Sequence, residues 1–142
     1  MAQTVRFRLD PAARSAIAAL RVGADPSVVV AAATSVPEAA RRALADELRV
    51  LVLPSLWLAT LGAVAGRPDE LVLAAVVDAE LLAVHAAVHD ALAGRVKGPV
   101  AAYLPGAWLP HCVLATERPA EVFAALHPVA PIRARVVGVD VG

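Results

Sequence analysis

At 142 residues, 59% of them hydrophobic, the chain has the length of one domain and ample material for a core. Long polar or low-complexity tracts are absent, which excludes a disordered chain. Thirteen basic and thirteen acidic residues cancel to a formal net charge of zero, and no basic cluster exceeds the pair Arg41 and Arg42. A protein that tracks a long nucleic acid needs a larger cationic footprint. The single cysteine, Cys112, excludes an intrachain disulfide and suits a reducing, cytoplasmic compartment. No apolar run of signal-peptide length lies in the first ten residues.

Val5, Phe7 and Leu9 alternate with Arg6 and Arg8, the period-two pattern of a half-buried strand. Asp10 and Pro11 then predict an N-cap and the first position of a helix running from Ala12 to about Arg21, closed by Gly23. A second strand is expected over Ser27–Ala33. Ser35 with Glu38 reads as the capping box of a helix ending near Leu48. The stretch from Val50 to Gly66 holds 17 uncharged residues, the short end of a membrane span. Pro54, Gly62 and Gly66 interrupt it, so two kinked strands, Arg49–Leu53 and Leu56–Ala63, are the better reading, and no membrane span is expected. A turn over Gly66–Glu70 and a strand over Leu71–Val77 follow. Asp78 caps the longest helix, Ala79–Ala93. A loop from Gly94 to Gly106, a strand His111–Thr116, a helix Pro119–Leu126 and a last strand Ile132–Val141 complete the chain. This order predicts an α+β domain over 1–142 with a largely antiparallel sheet. The segments beginning at Asp25 and Leu109 each run through proline and a polar residue into an apolar strand, which suggests an internal duplication.

The segment from Tyr103 to Ala115, ending Leu109-Pro-His-Cys-Val-Leu-Ala115, resembles the second motif of bacterial 2′-5′ RNA ligase-like proteins, members of the two-histidine phosphoesterase superfamily. The preceding helix from Asp78 to Leu92 is similar to that family as well. The resemblance implies a bilobal, pseudo-two-fold duplicated unit of largely antiparallel sheets flanked by helices around a central cleft. It also implies two His-x-Thr/Ser-apolar motifs on related strands. Residues i and i+2 of a strand share a face, so an imidazole and a hydroxyl from each motif reach one phosphate. One imidazole accepts a proton and the other donates one near neutral pH.

Against that pattern, the second motif here is His111-Cys-Val113, with valine in place of the hydroxyl. The first aligns with Ser27-Val-Val29, where both the histidine and the hydroxyl are lost. Loss of one proton-transfer partner commonly costs about 10²–10⁴ in rate, and losing phosphate donors costs more. The expectation is a protein with the family's shape, a residual catalytic-type His111 and a cleft lined by Ser27, Val29, Val113, Trp108, Tyr103 and Arg8. That cleft would hold a small-molecule or nucleotide-like ligand without normal phosphodiesterase turnover. The alternatives are a residual or repurposed phosphoesterase using His111 as sole acid/base, and a protein-interaction or regulatory subunit; the oligomeric state stays open.

Other residues invite sharper readings beside plainer ones. Ser27 as a nucleophile with His111 as base competes with a small polar filler. A Cys112–His111 dyad is opposed by strand geometry, which sends neighbours to opposite faces. His85 and His89, spaced i, i+4, could grip a metal. No third ligand is evident in the sequence, so partly exposed polar positions are the default and neither metal nor cofactor is expected. Trp108 is the best aromatic for stacking a planar ligand, whereas core packing is expected of Trp57. Arg6 and Arg8 share a face that opens either to the cleft or to solvent.

Overall fold

The computed structural model describes residues 2–142. Strand β1 (Gln3–Leu9) buries Val5, Phe7 and Leu9 and turns Arg6 and Arg8 the other way, as its alternation predicts. Asp10 caps helix α1 (Pro11–Leu20) by accepting from Ala13 N at 3.3 Å, with Pro11 in the first turn. There follow β2 (Ser27–Ser35), α2 (Glu38–Leu48), β3 (Ser55–Val64), β4 (Arg67–Ala75), α3 (Ala79–Leu92), β5 (Lys97–Pro99), β6 (His111–Ala115), α4 (Pro119–Leu126) and β7 (Ile132–Val141). Asp78 caps α3 as expected, accepting from Leu81 N at 2.8 Å.

The fold is α+β. Its strands form one antiparallel seven-stranded sheet in the order β5-β2-β1-β7-β3-β4-β6, flanked by helices. Ile17, Leu44, Leu81, Val84, Val88 and Val122 from the helices join Phe7, Leu58, Leu73 and Ala134 from the strands in one core cluster. No helix among the described residues is long and apolar enough to cross a membrane.

Ladder partners lie on the same face of a sheet, and this decides where the motif residues go. Ser27 pairs with Arg8 and Val29 with Arg6; these arginines pair with Gly138 and Asp140 of β7. Farther along β7, Arg133 and Arg135 pair with Trp57 and Ser55. Thr60 and Gly62 pair with Ala74 and Val72, which in turn pair with His111 and Val113. Bulges at Val137 and Ala59 keep both halves of β7 and β3 on the same side. Ser27, Val29, Arg6, Arg8, His111 and Val113 therefore share one face, and exposed Arg8, Trp57, Thr60 and Arg133 leave it uncovered. The backbone N–H of Asp25 donates to Val113 O at 2.9 Å, so the segment entering β2 touches β6 although the two strands lie far apart in the sheet order.

Several local expectations are corrected. Arg49–Leu53 forms no strand: it has no ladder partner, and Val50 and Val52 stand in solvent at 77% and 81% exposure. Their β-branched side chains favour a strand only where a neighbour exists to pair with. Ser35 is not a cap. It remains in β2, and Pro37 occupies the N-cap position of α2 without a side-chain bond. The turn expected at Gly66–Glu70 is shorter, because β4 begins at Arg67 and pairs with Val64 across Gly66, whose φ is +85°. Lys97–Pro99, placed in a loop by its Gly-Pro content, adds an edge strand to β2. Trp57 is not core; it is 45% exposed, with the Arg133 guanidinium 5.2 Å from its ring.

Leu58 is fully buried at the centre of the cluster. Leu58→Ala is expected to lower the unfolding free energy by about 2–5 kcal/mol. Val52→Thr, at an exposed position, should change it by less than about 0.5 kcal/mol. Urea denaturation of both variants checks the pair, and equal losses would contradict the core assignment.

Candidate functional site

The outer edge of β2 has no strand beside Val29 and Val30, because β5 pairs only at Ala33 and Ser35. Val30 is also the extra residue of a bulge: Val5 pairs with Ala31, and the next residue, Arg6, pairs with Val29. Backbone carbonyls away from water need partners, and here side chains supply them. Trp108 Nε1 donates to Val29 O at 2.9 Å. His85 Nε2 and His89 Nε2 donate to Val30 O at 3.0 and 2.8 Å. A carbonyl only accepts, so both imidazoles carry their proton on Nε2. The i, i+4 spacing on α3 thus serves a backbone oxygen.

His85 is 1% exposed and stacks on Trp108 with ring centroids 3.9 Å apart and planes within 4°. His89 lies 4.4 Å from His85, and Phe7 meets Trp108 edge-on at 6.5 Å. Partly exposed histidines were expected at both positions; His85 is instead the buried polar residue of this core. Its burial, reinforced by the neighbouring His89, holds its pKa down at about 4, against the opposing pull of the Val30 and Tyr103 carbonyls. Trp108 is likewise spoken for, since one ring face is covered by His85. Among the described residues no three His, Cys, Asp or Glu side chains gather closely enough to hold a metal ion.

His111, at the start of β6, is half-buried. Its Nδ1 donates to Leu109 O at 2.6 Å, which fixes the ring and leaves Nε2 as the acceptor. His111, Tyr103 and Trp108 line one hollow of about 360 Å³ together with Arg67, Val64, Ala65, Ala102, Ala107 and Leu109. Arg67 reaches it because the hairpin of β3 and β4, bulged twice, brings its tip to the same place. Its guanidinium also contacts Glu70 at 3.3 Å. The sequence held no signal for Arg67, since its approach depends on the path of the hairpin.

The remaining expected residues do not line that hollow. Ser27 Oγ donates to Asp25 Oδ1 at 2.7 Å and accepts from Arg6 at 3.0 Å, while Arg6 pairs with Asp25 at 2.6 Å. A serine engaged by a carboxylate and a guanidinium is not poised as a nucleophile toward His111. Arg8 is paired with Asp140 at 2.7 Å, in space that Gly138 leaves by lacking a side chain. Val29 and Val113 are half-buried on the shared sheet face. Cys112 faces the core, opposite His111, and is fully buried. Burial, with the Asp25 carboxylate adding to it, pushes its thiol up to about 12.

No family model, curated protein or solved structure matches this chain.

Two measurements follow from these environments. As pH falls from about 6.5 to about 4, the unfolded chain binds a proton at position 85 that the folded chain refuses. The stability that His85 contributes should therefore fall across that window by up to about 3 kcal/mol and then change no further. His85→Phe, which can keep the stack on Trp108, should remove this part of the pH dependence; urea unfolding of both proteins from neutral pH to pH 4 compares them, and parallel curves would refute the assignment. Cys112 should resist thiol reagents in the native chain and react once the chain is unfolded in urea. Rapid native labelling would contradict its burial.

Proposed function

We propose that this chain is a degenerate two-histidine phosphoesterase-like protein, of the 2′-5′ RNA ligase or cyclic phosphodiesterase kind, that binds a small ligand in the hollow at His111 without that family's turnover. The observation that carries this reading is the bonding of its histidines. His111 is the one histidine lining the hollow of the expected Tyr103 and Trp108, and its Nε2 is unbonded there. His85 and His89 are committed to Val30 O, and His127 is exposed and stacked on Phe123. Hydrolysis of a cyclic phosphodiester by the family's route needs one group to take a proton and a second to give one. Only one such imidazole reaches this site. The position aligned with the other is Ser27, held in the Asp25–Arg6 cluster.

The bilobal, duplicated architecture belongs to the same proposal. Its support is that β2 and β6 each follow shortly after a proline, Pro26 and Pro110, and that they meet through Asp25 and Val113. A cytoplasmic location fits the single, buried and reduced thiol. The hollow's lining favours a small ligand with a mostly apolar body, set among Val64, Ala65, Ala102, Ala107 and Leu109, with its polar end toward His111 and the Glu70-paired Arg67.

Hydrolysis of a panel of nucleoside 2′,3′-cyclic phosphates tests the proposal with three proteins: the native chain, His111→Ala, and a restored variant carrying Ser27→His, Val29→Thr and Val113→Thr. The expected result is a silent native chain, a silent His111→Ala, and turnover in the restored variant at least about 10² above native. Native turnover that vanishes in His111→Ala would overturn degeneracy and make His111 the sole acid/base of a working phosphoesterase. A folded restored variant without turnover would remove the support for the motif alignment.

A further inference from the structure

A second hollow lies on the helix side of the sheet. It encloses about 370 Å³ and is bounded by Val5 of β1, Ala31, Ala32 and Ala33 of β2, Val36, the end of α3, and Gly94, Val96, Pro99, Leu104 and Pro105. Its origin is visible in the composition of β2. Val28, Val29 and Val30 are followed by three alanines, and the facing end of α3 is Ala93 followed by Gly94. Side chains this small leave unfilled a space that valine or leucine would occupy in an ordinary core. The floor belongs to the core, with Val5, Ala31, Ala33, Val36 and Leu92 each less than 5% exposed. The rim is open, with Asp90, Ala93, Gly94, Pro99, Leu104 and Pro105 all exposed.

Two polar side chains line this apolar space, His89 and Asp90. His89 spends its Nε2 proton on Val30 O, so its remaining nitrogen is an acceptor. Asp90 has no ion-pair partner among the described residues, and no lysine or arginine lines the hollow. Both polar groups accept hydrogen bonds, and the carboxylate adds uncompensated negative charge. We propose that this hollow is a binding site for a small amphiphilic amine, with the apolar body against Ala31, Ala33, Val36 and Leu92 and the ammonium donating to Asp90 and His89. Neutral donors of the same shape bind more weakly, and carboxylates are repelled by Asp90. The site is separate from the hollow at His111: Leu104 and Pro105 line one, and Tyr103 and Ala107 line the other.

The test is titration of the full chain with n-hexylamine, hexanol and hexanoate, which share one body and differ in the head group, followed by backbone amide chemical shifts. Hexylamine is expected to bind with a dissociation constant on the order of 1 mM, with shifts concentrated at residues 31–36 and 89–105. Hexanol should bind more weakly and hexanoate weakest. Asp90→Asn, at an exposed position that leaves the core untouched, should weaken hexylamine about fivefold and hexanol by much less. Ala33→Leu, which fills the floor, should abolish binding of all three probes; should that variant fail to fold, the head-group order and the Asp90→Asn response still decide. Hexanoate binding as tightly as hexylamine, shifts located elsewhere, or no binding of any probe at millimolar concentration would overturn the proposal. The restored cyclic-phosphate variant tests the other hollow, so the two readings can fail independently.

Discussion

At Val29 and Val30, β2 carries a bulge and has no neighbouring strand on its outer edge, so two backbone carbonyls lack a ladder there to receive them. An orphaned carbonyl there would cost about 1–3 kcal/mol. The chain meets this with three ring N–H groups, those of Trp108, His85 and His89. The rest of the architecture hangs on this arrangement. It docks α3 onto β2, ties down the segment leading into β6, and seats His85 in the core, where burial and the neighbouring His89 hold its pKa down against the pull of the carbonyl. It also forms the wall between the two hollows, with His89 lining one and Trp108 the other, joined through the stacked ring of His85.

The polar chemistry of the uncovered sheet face is similarly self-contained. Arg6 and Arg8, which with Ser27 would be the natural phosphate-binding groups of that face, are each paired with a carboxylate, Asp25 and Asp140. Both pairs are partly solvated, so each contributes little stability; their effect is to hold the guanidiniums in place and to neutralise them. His111 stands apart, with one nitrogen oriented by a backbone carbonyl and the other unbonded. Among the described residues it is the one imidazole that lines the hollow of Tyr103 and Trp108.

Much of the local structure was legible in the residues themselves. The alternation around Val5, Phe7 and Leu9, the caps Asp10 and Asp78, the proline-started helices and the separation of Cys112 from His111 across a strand all follow from backbone geometry. Errors arose where a local preference lacked a partner. Val50 and Val52 look like strand residues and have nothing to pair with, while Lys97–Pro99 looks like a loop and finds the free end of β2. Trp57 and Trp108 exchanged their expected environments for the same reason, because burial is decided by what lies opposite a side chain.

The sequence by itself determined the four helices, most of the strands, and the alternation of faces within each unbulged stretch. Those properties depend on near neighbours along the chain and on two fixed periodicities. Only the tertiary structure decided that His85 and His89 would cap the Val30 carbonyl, that Arg6 would engage Asp25 and Ser27, and that Arg67 would reach the hollow of His111. Each of those contacts joins residues from different elements, and two of them depend on bulges that displace a strand by one residue. A backbone carbonyl exposed by a bulge leaves no mark in side-chain composition, so its partners become visible only when the strands are in register.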